Sequence, residues 1–233
     1  MINGPKNVSA GSNMQYMFAN CYKMQKAPNF YSSAGSDAIN TTEGNIRNGG
    51  AYRAFYECRN MTTGPNYVGS WNGYEVFYNC QKMSNIGTMY AVKMPNAFIN
   101  CYNLRTVNLI NNCYMTDLFR NCTGLVEVSN VYNCHYFNNT FTDCTSLTKV
   151  NITYDSYSYN HINTFRNCTS LTDFNGYSCN FYYCNDVFRG CTNLKNVYLP
   201  SQMNYFNGLF YDCHKLTNIM TQYNNSISMY NRT

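Results

Sequence analysis

Apolar residues recur along this chain in one phrase: Phe, two variable positions, Cys, two variable positions, then Leu or Met. Its phenylalanines are Phe18, Phe55, Phe77, Phe98, Phe119, Phe141, Phe165, Phe188 and Phe210. The first step is 37 residues, and the later ones are 22, 21, 21, 22, 24, 23 and 22. A fixed period of this size marks a solenoid, in which one short unit stacks on copies of itself. In TFTDCTSLTKVNI, Phe141, Cys144 and Leu147 stand three apart, which places them on the inward side of a short helical or 3₁₀ turn. Val150 and Ile152 then alternate with polar neighbours, the period of a half-buried strand. Leu104, Val107 and Leu109 repeat that shape, as do Leu194, Val197 and Leu199. An Asn-rich corner and a second extended stretch lead to the next phenylalanine.

These units predict a mostly β solenoid of about nine rungs, each 21–24 residues long and built from a strand plus a short helical turn. Strands stacked about 4.8 Å apart would give a rod of roughly 40 Å. The phenylalanines are expected to form one buried column, since no single rung can close its own core. The whole chain, 1–233, reads as one domain: an irregular N-terminal rung with an insertion at 14–50, regular repeats at 51–222, and a cap or tail at 223–233. The long first step holds either a loop, PNFYSSAGSDAINTTEGNIRNGG, or one degenerate rung.

The copies AFINCYNLRTVNL, TFTDCTSLTKVNI and VFRGCTNLKNVYLP resemble the BspA-like leucine-rich repeat family, whose unit reads A-F-x-x-C-x-x-L-x-x-V-x-L-P. The resemblance covers about residues 14–222, although Met24, Met61 and Met83 stand in for leucine in early copies. It implies a right-handed leucine-rich-repeat coil. It further implies a surface protein that binds host proteins or other cells, and it carries over no catalytic residues.

Composition narrows the classes further. A net charge of +5 with 12% charged residues, and no run of like charges, gives no nucleic-acid footprint. The opening MINGPKNVSAGSN lacks the basic-then-apolar order of a secretory signal. No stretch of 18 apolar residues is present, so membrane insertion is not expected. Of thirteen cysteines, nine occupy the same repeat position, and the others are Cys113, Cys134, Cys179 and Cys184. With no C-x-x-C pair, they read as small buried hydrophobes and free thiols, not metal ligands. His135, His161 and His214 belong to no catalytic motif and read as surface or corner residues. No phosphate-cradling glycine motif or carboxylate dyad stands out, so neither enzyme nor cofactor is predicted. Sequons at Asn121, Asn151 and Asn167, two of them inside the turn motif, favour a bacterial or phage source, where glycans would not intrude.

The expected function is therefore a non-enzymatic protein-interaction or structural module. Its setting is an accessory or structural component of a larger assembly such as a phage virion, or a bacterial surface adhesin binding host proteins or glycans. Partners would be other proteins, and the location the virion or the cell surface. Two candidate faces follow. One is a tyrosine stripe of Tyr22, Tyr56, Tyr78 and Tyr102, beside the first motif cysteines. The other is the outward side of the strand ladder, with Asn108, Ser129, Asn151, Asn175 and Tyr198 in one column. Trp71 and the 28–50 insertion are further contact candidates.

Overall fold

The computed structural model describes residues 2–3, 7–10, 14–32, 50–69, 73–90, 93–107, 113–154, 160–200 and 203–221. Asn108, Leu109, Trp71, most of the 28–50 insertion and the 223–233 tail lie outside these residues. The fold is a parallel β-solenoid. Its strands are β1 (Ile2–Asn3), β2 (Asn7–Ala10), β3 (Met24–Lys26), β4 (Asn29–Ser32), β5 (Tyr67–Gly69), β6 (Thr88–Tyr90) and β7 (Thr106–Val107). They continue as β8 (Glu127–Tyr132), β9 (Lys149–Tyr154), β10 (Asp173–Asn175), β11 (Phe181–Tyr183), β12 (Asn196–Leu199), β13 (Met203–Tyr205) and β14 (Asn218–Thr221). All pair in parallel, in short ladders: β1–β3, β2–β4, β5–β6, β7–β8–β9, β10–β12–β14 and β11–β13.

Two expectations need correction. No helix occurs among the described residues, and a strand does not accompany every repeat, so nine rungs of strand plus helical turn are not supported. After Phe55 and Phe77 the strand shrinks to isolated bridges, Lys26 with Thr63 and Thr63 with Asn85. The local sequences there, Met61-Thr-Thr-Gly-Pro65 and Met83-Ser-Asn-Ile-Gly87, lack the alternating valine. Pro65 also has no N–H to give a ladder. Gly87 allows a close backbone approach, because a Cβ there would lie 1.7 Å from the Asn66 carbonyl oxygen.

The motif turn itself is laddered. Each motif phenylalanine is flanked by left-handed residues, two before with φ between 49 and 61° and two after with φ between 58 and 74°. Asn and Asp fill most of these positions because they tolerate that conformation better than other non-glycine residues, and Gly190 and Gly208 fill two. Left-handed residues at both sides stop a helix from propagating. Alternate N–H groups turn instead to the next repeat: Arg53, Phe55 and Glu57 donate to the carbonyls of Tyr74, Val76 and Tyr78 at 2.8–2.9 Å. The N–H groups between them close i to i−3 turns, as in Tyr56 to Arg53 and Cys58 to Phe55. That local bond keeps Phe, Cys and Leu on one inward side at steps of three, without any helix.

The core is the predicted aromatic column. Phe18, Phe55, Phe77, Phe98, Phe119, Phe141, Phe165, Phe188 and Phe210 stack ring on ring, with centroids 5.2–5.7 Å apart and planes within 4–16°. From Phe55 to Phe188 these rings are fully buried, while Phe18 and Phe210 at the ends are partly buried. Phe18 stacks directly on Phe55, so the column runs unbroken across the 37-residue step.

Candidate interaction surfaces

The repeated cysteine is more than a space filler. Cys58, Cys80, Cys101, Cys122, Cys144, Cys168, Cys191 and Cys213 each donate a thiol hydrogen bond to the carbonyl of the preceding motif phenylalanine, at 2.9–3.2 Å. Burial pushes these thiols up, Cys58 and Cys213 to about 12 and Cys101 and Cys122 well above the ordinary value. No disulfide joins the motif cysteines. Thiols that hold their proton this tightly are poor nucleophiles and poor metal ligands as they stand. Among the described residues, no three His, Cys, Asp or Glu side chains gather as a metal site.

The left-handed position before the cysteine carries a side-chain ladder. Asn79 Nδ2 donates to Glu57, Asn100 Nδ2 to Asn79 Oδ1 at 2.7 Å, and Asn121 Nδ2 to Asn100 Oδ1 at 2.7 Å. The ladder resumes where Asn167 Nδ2 donates to Asp143 Oδ1 at 2.8 Å. Such a ladder ties neighbouring repeats at the surface, as the backbone bonds do beneath it.

Of the proposed tyrosine stripe, the structure brings Tyr56 and Tyr78 together, stacked at 5.2 Å with planes 9° apart. Tyr22 and Tyr102 sit three positions later in the repeat, where Arg59 and Gln81 separate them. Tyr22 is exposed and donates to Asn20 Oδ1 at 3.0 Å, and Tyr102 is half-buried. The pair of Tyr56 and Tyr78 has other aromatic neighbours. Tyr16, Tyr52 and Tyr74 form a second column, at 5.3 and 6.3 Å. Arg53 joins the two columns: its guanidinium lies 5.2 Å from the Tyr52 ring and 4.7 Å from the Tyr56 ring, and it pairs with Glu75 at 2.7 Å. Tyr52 and Tyr74 both precede their phenylalanines by three residues, but Tyr16 precedes Phe18 by two, so the column does not keep one sequence register.

The strand face is less continuous than the predicted column. Asn175, Tyr198 and Met220 are in register across β10, β12 and β14, with Asn175 exposed and Tyr198 half-buried. Asn151 is exposed and Ser129 half-buried, but the β8–β9 register shifts between Val128 and Val131, which takes Ser129 out of line with Asn151. Beside them, Glu127 and Lys149 face each other as an ion pair at 2.8 Å. A further exposed aromatic group escaped sequence reasoning: Tyr183 stacks on Tyr205 at 5.0 Å, next to exposed Phe206. Its signal was the second extended segment, FYY and MNYF, which carries aromatics at successive positions.

One histidine departs from expectation. His161 is fully buried, stacked at 4.9 Å on Phe137 and 4.7 Å from Phe181. It takes an aromatic's place in a second core column, where its flat ring packs like its neighbours. His214 is exposed, as predicted for all three, and His135 is partly exposed beside Tyr114.

The BspA type Leucine rich repeat region matches this chain in six copies, over residues 15–139, 51–172 and 116–231. No curated protein matches. Solved structures of similar fold include a Treponema pallidum leucine-rich repeat protein, 21% identical, covering 71% of this chain and 70% of that one, with a TM-score of 0.43. Another is a Bacteroides ovatus leucine-rich repeat protein, 17% identical, covering 92% of this chain, with a TM-score of 0.49. This chain spans 60% of the length of that protein. A leucine rich cell surface protein from Faecalibacterium prausnitzii is 14% identical, covering 94% of this chain and 87% of that one, with a TM-score of 0.41. Among the described residues, no helix is long and apolar enough to cross a membrane. The family is one of protein-binding repeats, typically non-enzymatic. With its repeats matched from residue 15 to residue 231, this chain belongs to the BspA-type leucine-rich repeat family.

Proposed function

We propose that this chain is a non-enzymatic protein-interaction module that docks a partner protein through its N-terminal aromatic face. The observation that carries this reading is the double tyrosine column, Tyr16, Tyr52 and Tyr74 beside Tyr56 and Tyr78, bridged by Arg53. Tyrosine and arginine are the residues that interface cores favour, since they bury large area while keeping polar tips. Here backbone ladders hold them still, so little ordering entropy remains to oppose binding. The strand-face residues Asn151, Asn175 and Tyr198 offer a second, more polar surface to the same partner or another. Replacing Tyr56 and Tyr78 together with Ser should weaken association with the partner at least about tenfold, the loss expected for hot-spot residues. Unchanged affinity would reject this face.

The finer setting follows from two observations. A buried column of motif cysteines joined by no disulfide suits a particle assembled in a reducing cell, which supports a structural or accessory component of a phage virion. Family membership supports the alternative, a bacterial surface adhesin for host proteins or glycans. Recovery of the chain in the protein inventory of purified virions would favour the first. Its removal from intact cells by external protease would favour the second.

A further inference from the structure

The asparagine ladder has a chemically mismatched step at Asp143. From Glu57 to Asn121 each upper amide Nδ2 donates to the side-chain oxygen below it. The next position is Asp143, which has no amide hydrogen to offer. Among the described residues, Asn121 Oδ1 receives no donor, and the one side-chain bond to the Asp143 carboxylate comes from Asn167 above. Two acceptors thus occupy neighbouring positions of the ladder, whereas Asn79, Asn100 and Asn121 each donate to the acceptor below.

A cleft of about 250 Å³ opens over that step. Its walls are Tyr78, Ile99, Asn100, Arg120, Asn121 and Asp143. The lining that reaches solvent is mainly polar, because Ile99 is buried and Tyr78 is stacked on Tyr56. Arg120 is held by Asp117 at 3.3 Å and leaves further N–H donors for the cleft. A ligand that fits this lining brings donors for Asn121 Oδ1 and Asp143 and acceptors for Arg120. A cationic side chain supplies the first but is repelled by Arg120. A carboxylate or phosphate supplies the second but is repelled by Asp143. Neutral hydroxyls supply both, because each is donor and acceptor at once. The volume is below the range of drug-sized pockets, and a single small ring fills it.

We propose that this cleft is a saccharide site, in which neighbouring hydroxyls of one sugar ring bridge Asn121 Oδ1 and the Asp143 carboxylate. The site lies beside the tyrosine columns and shares only Tyr78 with them, so it stands whether or not a protein docks there. The sugar completes the ladder that the carboxylate interrupts.

The test uses the intact chain, labelled on nitrogen, with side-chain amide resonances followed by NMR. The probes are the methyl glycosides of glucose, galactose, mannose and N-acetylglucosamine, added singly. At least one should shift the Asn121 and Asn100 amide signals in a saturable manner. Asp143→Asn supplies the missing amide donor and keeps the shape. It should raise the melting temperature by joining the ladder and weaken the sugar about tenfold or more, the loss expected when a charge-assisted bond is removed. Arg120→Gln should also weaken binding without the gain in stability. Absence of any saturable shift, undiminished binding by Asp143→Asn, or a shift with calcium alone and none with sugar would overturn the proposal.

Discussion

Truncating Phe119 to alanine probes the column at its middle. The ring is fully buried and lies between Phe98 at 5.4 Å and Phe141 at 5.7 Å, nearly parallel to both. Deleting a buried phenylalanine typically costs about 3–5 kcal/mol, the sum of lost transfer energy and the cavity left behind. The upper part of that range applies when walls cannot move inward. Here the backbone is pinned on both sides: Phe98 N–H donates to the Leu118 carbonyl at 2.9 Å, and Phe119 N–H to the Thr140 carbonyl at 3.0 Å. The two flanking rings also lose their stacked partner, worth about 0.5–1.5 kcal/mol per pair beyond area. A loss of about 4–5 kcal/mol is therefore expected, a large share of the roughly 5–15 kcal/mol that holds a domain folded. Phe210→Ala, at an end with one stacked neighbour, Phe188 at 5.6 Å, should cost about half as much. Urea unfolding followed by far-ultraviolet circular dichroism gives both values. A Phe119→Ala loss under about 1 kcal/mol, or equal losses at both positions, would refute the stacked-core reasoning.

Two further outcomes concern the thiols. Cys122→Ala removes a buried thiol that bonds the Phe98 carbonyl at 2.9 Å, and should cost about 1–2 kcal/mol in the same unfolding assay; no measurable cost would mean that the thiol bond contributes nothing. Alkaline pH should destabilise the fold, because burial pushes Cys58 and Cys184 from 9.0 to about 12 and Cys80, Cys101, Cys122, Cys144 and Cys168 upward as well. Below pH 9 both states keep the proton; above it the unfolded chain releases protons that the folded chain retains, so stability falls as pH climbs towards 12. Melting temperatures measured from neutral pH upward should decline beyond that point, and native protein should resist thiol reagents until it does. A flat profile, or rapid native labelling of the motif cysteines, would contradict their burial.

The aromatic column was legible because its spacing is set by chain length per coil, which sequence displays directly. The strand after Phe141 was legible as Val150 and Ile152, since a half-buried strand alternates. The turn was misread because a step of three is shared by a helical turn and by the laddered turn found here. The distinguishing signal was present in residues such as Asn100, Asn121 and Asn167, which stand where the backbone is left-handed. The buried His161 was not legible, because its burial depends on Phe137 and Phe181 from neighbouring coils. The Arg53 patch was hidden for the same reason: Tyr52, Tyr56 and Tyr74 meet only after the coils are stacked. Thiol donation to a carbonyl leaves no trace in hydropathy, where cysteine counts only as apolar.

Ring-to-ring nuclear Overhauser effects on protein labelled only at phenylalanine test the stacked column most directly. With centroids 5.2–5.7 Å apart, cross-peaks should link Phe55 to Phe77, Phe77 to Phe98 and onward to Phe188, and a soluble paramagnetic agent should leave those signals sharp. Phenylalanine rings that show no mutual cross-peaks, or that broaden in the agent, would contradict the account.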